Sequence, residues 1–441
     1  MRFFDRTEEI ASLHEIHRMA QTNAQFTVVT GRRRIGKTHL VWKAYENEPF
    51  LYFFVARKAE GDLCEDYRLE IENKLGVPTM GRPERFADVF EFLMKLSAER
   101  SITLFIDEFQ EFFRVNKSVF CDMQRIWDQY SPKSRINLIV CGSIYSMMTK
   151  IFRDRKEPLY NRQSRFMTIR PFTPTVLKEI LAEHNPAYTA EDLLALYAFT
   201  GGVAKYVQLL VDAGATTKAS MIDHIIKADS IFLGEGKAIL IEEFGKDYGI
   251  YFSILSAIAR GKTSRSEIEN VVGKEIGGYL TKLEREYEII SKRQPLFEKS
   301  STKNVRYLIE DNFFTFWFRF IYKYSYMLEI ENYESLKMII ARDYETFSGL
   351  MLERYFKRVL IEQKTYTRIG SWWERKGENE IDIVAENELD DTATFFEVKR
   401  KAENIDMETL KAKASVFLRA TGQLKNYSIS YKGLSMTDMQ N

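Results

Sequence analysis

Eight consecutive residues near the N-terminus could hold a phosphate: Gly31-Arg32-Arg33-Arg34-Ile35-Gly36-Lys37-Thr38 fits G-x-x-x-x-G-K-[ST] without departure. The residue types answer the chemistry. Gly31 and Gly36 let the backbone wrap closely enough for its N–H groups to point at phosphate oxygens. The Lys37 ammonium reaches the β and γ phosphates, and the Thr38 hydroxyl is a ligand for Mg²⁺. A helix opening at Lys37 adds the positive end of its dipole. The run from Gly31 through Thr38, with the following His39, is therefore expected to bind ATP. Further on, the apolar run Ile102–Ile106 ends in Asp107-Glu108. Asp107 suits a direct or water-bridged Mg²⁺ contact, and Glu108 suits the base that orients an attacking water. ATP hydrolysis is the predicted reaction.

Two further features carry an open reading. The run Ile136–Cys141 ends at Gly142-Ser143, where the Ser143 hydroxyl is either a sensor of the γ phosphate or part of an ordinary Gly-Ser turn. Arg162 and Arg165 lie in the polar stretch EPLYNRQSR. Either could act as an arginine finger, in cis or toward a neighbouring subunit of a homo-oligomer, or be a solvated surface charge.

A second constellation stands near the C-terminus. In Glu380-Ile381-Asp382-Ile383-Val384, strand alternation puts Asp382 on one face with Glu380 and Val384. In Phe395-Phe396-Glu397-Val398-Lys399, Glu397 and Lys399 share a face. The polar loop 386–394 would let the two runs pair as a hairpin. Asp382 and Glu397 would then hold a divalent metal, with Lys399 placed to position water and stabilise developing charge. Glu353 lies at the edge of a helix's apolar face in GLMLERYFKRVL.

The elements that must position these groups follow from the patterning. FTVVT (26–30), FLYFFV (50–55), ITLFI (102–106) and INLIVC (136–141) are short, nearly continuous apolar runs alternating with helical patterns. That is the signature of a parallel sheet covered on both faces. After Pro171 and Pro174 the pattern turns helical, with a break at Gly201-Gly202. Residues 245–311 read as three helices and a strand pair: one helix carrying Tyr251, Ile254, Leu255 and Ile258, one opened by a Ser264 cap, and one over Ile276–Ile290. VRYLIED (305–311) is the returning strand, and the whole is a winged helix-turn-helix. Phe313–Tyr326 is read as a buried helix between domains, with core packing preferred to stacking of single-stranded bases. From about 345 one helix, two β-runs and then helical sequence are expected.

Bulk composition excludes little. Lys plus Arg number 64 against 63 Asp plus Glu, so net charge calls for neither a nucleic acid nor a membrane. Between Arg260 and Arg306, 11 basic residues against 7 acidic ones leave a local surplus, compatible with DNA or with a structural spacer. Three cysteines without metal-ligand spacing, and an N-terminus lacking an apolar signal core, fit a reducing cytoplasm.

With these residues in view, the chain resembles the prokaryotic, predominantly archaeal ATPase family within the AAA+/STAND P-loop NTPases. GRRRIGKTHL, LFIDEFQ, VCGSIYSMM and PLYNR recur in that family's order. FFDRTEEIASL resembles its N-terminal box beside the adenine, implying roles for Phe4, Arg6 and Glu9. DNFFTFWFRFIY resembles the stretch that joins its winged helix to a C-terminal domain. That last domain resembles the PD-(D/E)XK nuclease superfamily, with Ile381 where the motif has Pro and with Glu353 matching the helical acid. The implied fold is α/β: a P-loop ATPase core (1–173), a helical lid (174–244), a winged helix (245–311), then a linker helix and a restriction-endonuclease-like domain (312–441). The implied function is ATP-controlled action on DNA through a Mg²⁺-dependent nuclease. The alternative is a STAND-like signalling ATPase whose C-terminal domain binds DNA or protein without cutting; no protein partner is named by the sequence.

Overall fold

In the computed structural model, which describes residues 1–78, 81–299, 301–375 and 378–439, five short runs line up as one parallel sheet. They are β1 (Gln25–Thr30), β2 (Leu51–Phe54), β3 (Ile102–Asp107), β4 (Ile136–Cys141) and β5 (Arg165–Thr168), in the order β2-β3-β4-β1-β5. Every residue of β1, β3 and β4 is buried, which is why these runs lack polar alternation. Phe26, Leu104, Ile106, Leu138 and Val140 lead the core, each worth about 1.5–3 kcal/mol on burial. The strands run parallel, so the loop after β1 and the ends of β3 and β4 gather at one edge of the sheet.

β5 is a departure from the sequence reading, which placed Arg165 in a loop. Arg165 opens an edge strand in register with Thr27 of β1. Only one of its four residues is fully buried, so no apolar run marks it.

These strands and their helices form a compact unit, Asp5–Arg170; Met1–Phe4 with Pro171–Asn441 form a second. In the second unit, five helices between Pro174 and Phe244 come first. The helix Ala190–Thr200 stops at Gly201 (φ 60°) and Gly202 (φ 74°), as the glycine pair predicts. Three helices follow, Tyr248–Ala259, Arg265–Val272 and Gly277–Arg285, then the antiparallel pair β6 (Ile290–Arg293) and β7 (Arg306–Ile309). Ser264 caps the second of these helices reciprocally with Glu267. The third ends at Arg285, short of the expected Ile290: Glu288 turns left-handed (φ 49°) and Ile290 starts β6.

The aromatic stretch from Asn312 begins α-helical and widens to a π-helix over Trp317–Tyr322. Phe313, Phe316, Trp317, Phe318 and Phe320 are buried against Phe199, Tyr206, Phe252 and Phe347. These rings are spent on the core.

The last part carries the long helix Tyr333–Glu362 and a four-stranded sheet. Its strands are β8 (Arg368–Trp373), β9 (Glu380–Asn387), β10 (Thr392–Val398) and β11 (Ser428–Leu434), ordered β11-β10-β9-β8, with the helix Met407–Thr421 between β10 and β11. Two expectations are corrected here. The sequence showed two strands and helix to the end, but β8 and β11 flank them as edge strands. The loop 386–394 shrinks to 388–391, because Glu386 and Asn387 pair in β9 with Ala393 and Thr392. Among the described residues no helix is long and apolar enough to cross a membrane.

Candidate functional site

At the carboxyl edge of the parallel sheet, the loop after β1 runs straight into the helix Lys37–Ala44. Gly31 (φ 147°), Arg34 (φ 66°) and Gly36 (φ 93°) make the tight wrap. A Cβ on Gly31 would lie 2.6 Å from the Ile169 carbonyl oxygen. Gly31→Ala is therefore expected to cost at least about 2 kcal/mol and to lower the melting temperature, read by thermal unfolding.

Lys37 is buried, and its ammonium donates to the carbonyls of Gly31 (2.9 Å) and Arg32 (3.0 Å). Burial lowers its pKa, while Glu108 and Asp107 among its neighbours push the other way. An arriving phosphate would replace the two carbonyls as acceptor. Thr38 donates to Asp107 Oδ2 at 2.8 Å. A hydroxyl and a carboxylate side by side are hard oxygen donors, the set Mg²⁺ prefers, so Thr38 and Asp107 fit it. When bound with nucleotide, that ion would neutralise charge developing between the β and γ phosphates.

Glu108, in a left-handed conformation (φ 53°), is held by two donors on its Oε2: the Ser143 hydroxyl at 2.8 Å and the Gln110 side-chain amide. Ser143 thus meets the base itself. Gly142 makes room for this arrangement, since a Cβ there would lie 2.4 Å from Gln110 Oε1. Tyr52, from β2, donates to Asp107 Oδ2 at 3.2 Å. Burial, with Asp107 beside it, pushes the Tyr52 phenol above its ordinary range and keeps it a donor. Sequence reasoning missed Gln110 and Tyr52. Gln110 was in reach, two residues past Glu108; Tyr52 was not, since only the pairing of β2 with β3 brings it there.

The other predicted residues lie elsewhere. Arg162 pairs with Asp128 at 3.1 Å, and Arg165 with Ser12 (2.6 Å) and Glu15 (3.2 Å). Neither makes a described contact with Lys37, Thr38, Asp107 or Glu108. Arg6 is buried, bonded to the Arg170 carbonyl at 2.7 Å and to Glu9 at 3.2 Å. Phe4 is buried in the second unit, where its ring meets His184. His39 is exposed on the helix, while Arg32, Arg33 and Ile35 lie within the loop.

In the second unit, β9 and β10 bring the acidic groups together. Phe396 pairs with Ile383, and the Val398 N–H donates to Asp382 Oδ2 at 2.8 Å. The Lys399 ammonium lies 2.7 Å from Glu397 Oε1 and 3.8 Å from Asp382 Oδ2. Lys413, from the helix Met407–Thr421, approaches Glu397 Oε2 at 3.6 Å. Burial first, then the Asp382 and Glu380 carboxylates, holds Glu353 well above the usual carboxylate range. Burial likewise raises Asp382, against the Val398 N–H and Lys399. For Lys399 burial works downward, but Glu397 and Asp382 outweigh it and the net shift is up. Among the described residues no three His, Cys, Asp or Glu side chains gather as a metal cage. The Asp382–Glu397 pair does fit a divalent cation: Glu397 is buried and its Oε2 has no hydrogen-bond partner.

Comparison with known proteins bears on the first site above all. Residues 3–210 match the model of an ATPase domain predominantly from Archaea, and residues 317–412 match that of archaeal and bacterial proteins of unknown function. The uncharacterized protein MJECL04 of Methanocaldococcus jannaschii is 32% identical over 413 residues, covering 90% of this chain and 88% of its own length. Among solved structures, the Walker-type ATPase PABY2304 of Pyrococcus abyssi superposes with a TM-score of 0.54 at 20% identity, over 72% of this chain and 96% of that one. That likeness is one of fold. With the phosphate loop, the Asp107-Glu108 strand end and a relative spanning nine-tenths of its length, the chain belongs to the archaeal-type P-loop ATPases.

Proposed function

We propose that this ATPase acts on DNA, and that its C-terminal sheet carries a Mg²⁺-dependent, PD-(D/E)XK-like nuclease site. In the ATPase step the attacking water gives a proton to Glu108 as its oxygen bonds to the γ phosphorus and the bridging bond to ADP breaks. The observation that carries the nuclease reading is the cluster on β9 and β10: Lys399 within 2.7 Å of Glu397 and 3.8 Å of Asp382, beside Glu353 on the long helix. Asp382 and Glu397 would hold the metal, which would polarise a phosphodiester when bound, and Lys399 would orient water and meet the developing charge. The three helices and the hairpin after Tyr248 support a winged helix, with the Tyr307 N–H reaching the Thr263 carbonyl at 2.7 Å as a third strand would.

A second reading has its own support. The far end of the β6–β7 hairpin is taken up by the C-terminal sheet: Asn304 and Trp373 exchange hydrogen bonds, and Arg306 pairs with Glu380. A wing so engaged, with Glu284 on the third helix and Glu286 just past its end, suits a spacer in a signalling switch whose C-terminal domain binds without cutting. Purified protein with linear, circular and branched DNA, in Mg²⁺ or Mn²⁺, with and without ATP, separates the two. Nicking of at least one DNA form is expected; intact DNA under every condition would leave the switch.

A further inference from the structure

Tyr52 stands on β2, one strand out from the strand that ends in the acidic pair, with Phe105 as its partner in register. Its phenol donates to Asp107 Oδ2 at 3.2 Å, the same oxygen that accepts the Thr38 hydroxyl at 2.8 Å. The other oxygen, Oδ1, accepts the Glu108 backbone N–H at 2.9 Å. Asp107 is 4% exposed, so these donors, with the Cys141 thiol also bonded to it, rather than bulk water, orient its carboxylate. The ring that carries the phenol is itself held, edge-on to Trp42 at 5.5 Å and tilted against Phe105 at 5.4 Å. Phenylalanine would make both ring contacts equally well. The strand needs the ring; the carboxylate meets the hydroxyl.

We infer that Tyr52 is a positioning residue of the ATPase site, whose hydroxyl occupies an acceptor position on Asp107 Oδ2 and so sets how that carboxylate is presented to nucleotide-bound Mg²⁺. The inference rests on Asp107 serving the metal. An ionised carboxylate offers about four acceptor positions. Thr38, Tyr52, the Glu108 N–H and the Cys141 thiol all bond to it, which leaves the group little freedom to rotate. Without the phenol, Oδ2 loses one of its donors, and the carboxylate can turn between alternatives. Mg²⁺ demands near-ideal octahedral geometry at short distances, whereas Ca²⁺ accepts irregular, longer coordination. Loss of orientation therefore falls on Mg²⁺ far more than on Ca²⁺.

The test is the affinity of the full chain for ADP, measured by calorimetry in EDTA, in Mg²⁺ and in Ca²⁺, for wild type, Tyr52→Phe and Asp107→Ala. In Tyr52→Phe the strengthening by Mg²⁺ should shrink about fivefold, with affinity in EDTA and the strengthening by Ca²⁺ unchanged. A Mg²⁺ gain equal to that of wild type overturns the role of Tyr52 alone. An equal loss in EDTA also overturns it, because the hydroxyl would then matter to folding and not to the metal. If Asp107→Ala keeps the full Mg²⁺ gain, the metal-side role of Asp107 fails, and that of Tyr52 with it.

Discussion

Lys37→Ala is expected to abolish nucleotide binding, while Glu108→Gln keeps binding and stops turnover. The ammonium of Lys37 is buried and supplied with two carbonyl acceptors at the loop, so its contact with phosphate is made in a dry setting. Truncating one partner of such a charge-assisted contact costs about 3 kcal/mol or more, roughly a hundredfold in affinity. Glu108→Gln preserves size and can still accept from Ser143 and Gln110 through its remaining carbonyl oxygen, so the loop and the metal side stay intact. What it loses is the base. General-base catalysis contributes on the order of 10²–10⁴-fold, so turnover should fall by at least about 100-fold at unchanged affinity. Fluorescent-nucleotide titration and phosphate release, measured on both variants, check the pair. Hydrolysis by Glu108→Gln at the wild-type rate would remove Glu108 from the mechanism.

The C-terminal site makes a graded prediction. On the proposed nuclease reading, Asp382→Ala and Glu397→Ala would remove the metal ligands and should lose both metal affinity and DNA cleavage. Lys399→Ala should keep the metal and lose cleavage, because its ammonium acts on water and developing charge. The Glu397 variant carries a second effect: Lys399 and Lys413 both face that carboxylate, and its removal takes away the nearer partner of Lys399, leaving it Asp382 at 3.8 Å, and the carboxylate that Lys413 approaches. A lower melting temperature is expected there, so Glu397→Gln serves as the companion variant. ATP turnover should survive all of these changes, since Asp382 and Asp107 belong to different compact units. Metal titration beside plasmid nicking reads both properties. Equal cleavage by Lys399→Ala and wild type would sink the role assigned to the lysine.

Much of the phosphate site was legible because it is contiguous. Gly31–Thr38 owes its shape to backbone freedom at two glycines and to a helix start, all set within eight residues. The strands feeding it were legible too, since burial of both sheet faces leaves uninterrupted apolar runs in β1, β3 and β4. The helix opened by Ser264 and the break at Gly201-Gly202 follow from local capping and left-handed turns.

Three edge strands, β5, β8 and β11, were not legible. β11 alternates exposed and half-buried positions with no fully buried residue, and β5 and β8 are scarcely more apolar. Such segments become strands because a neighbour supplies hydrogen bonds, not because their own pattern demands it. The same holds for side chains that complete the sites. Sequence by itself determined that Lys37, Thr38, Asp107 and Glu108 belong together, and that Asp382, Glu397 and Lys399 form a second set. Only the tertiary structure decided that Tyr52 reaches Asp107, that Ser143 holds Glu108, and that Lys413 faces Glu397. Those contacts cross between strands, or from helix to strand, and residue spacing along a chain carries no record of which element will lie beside it.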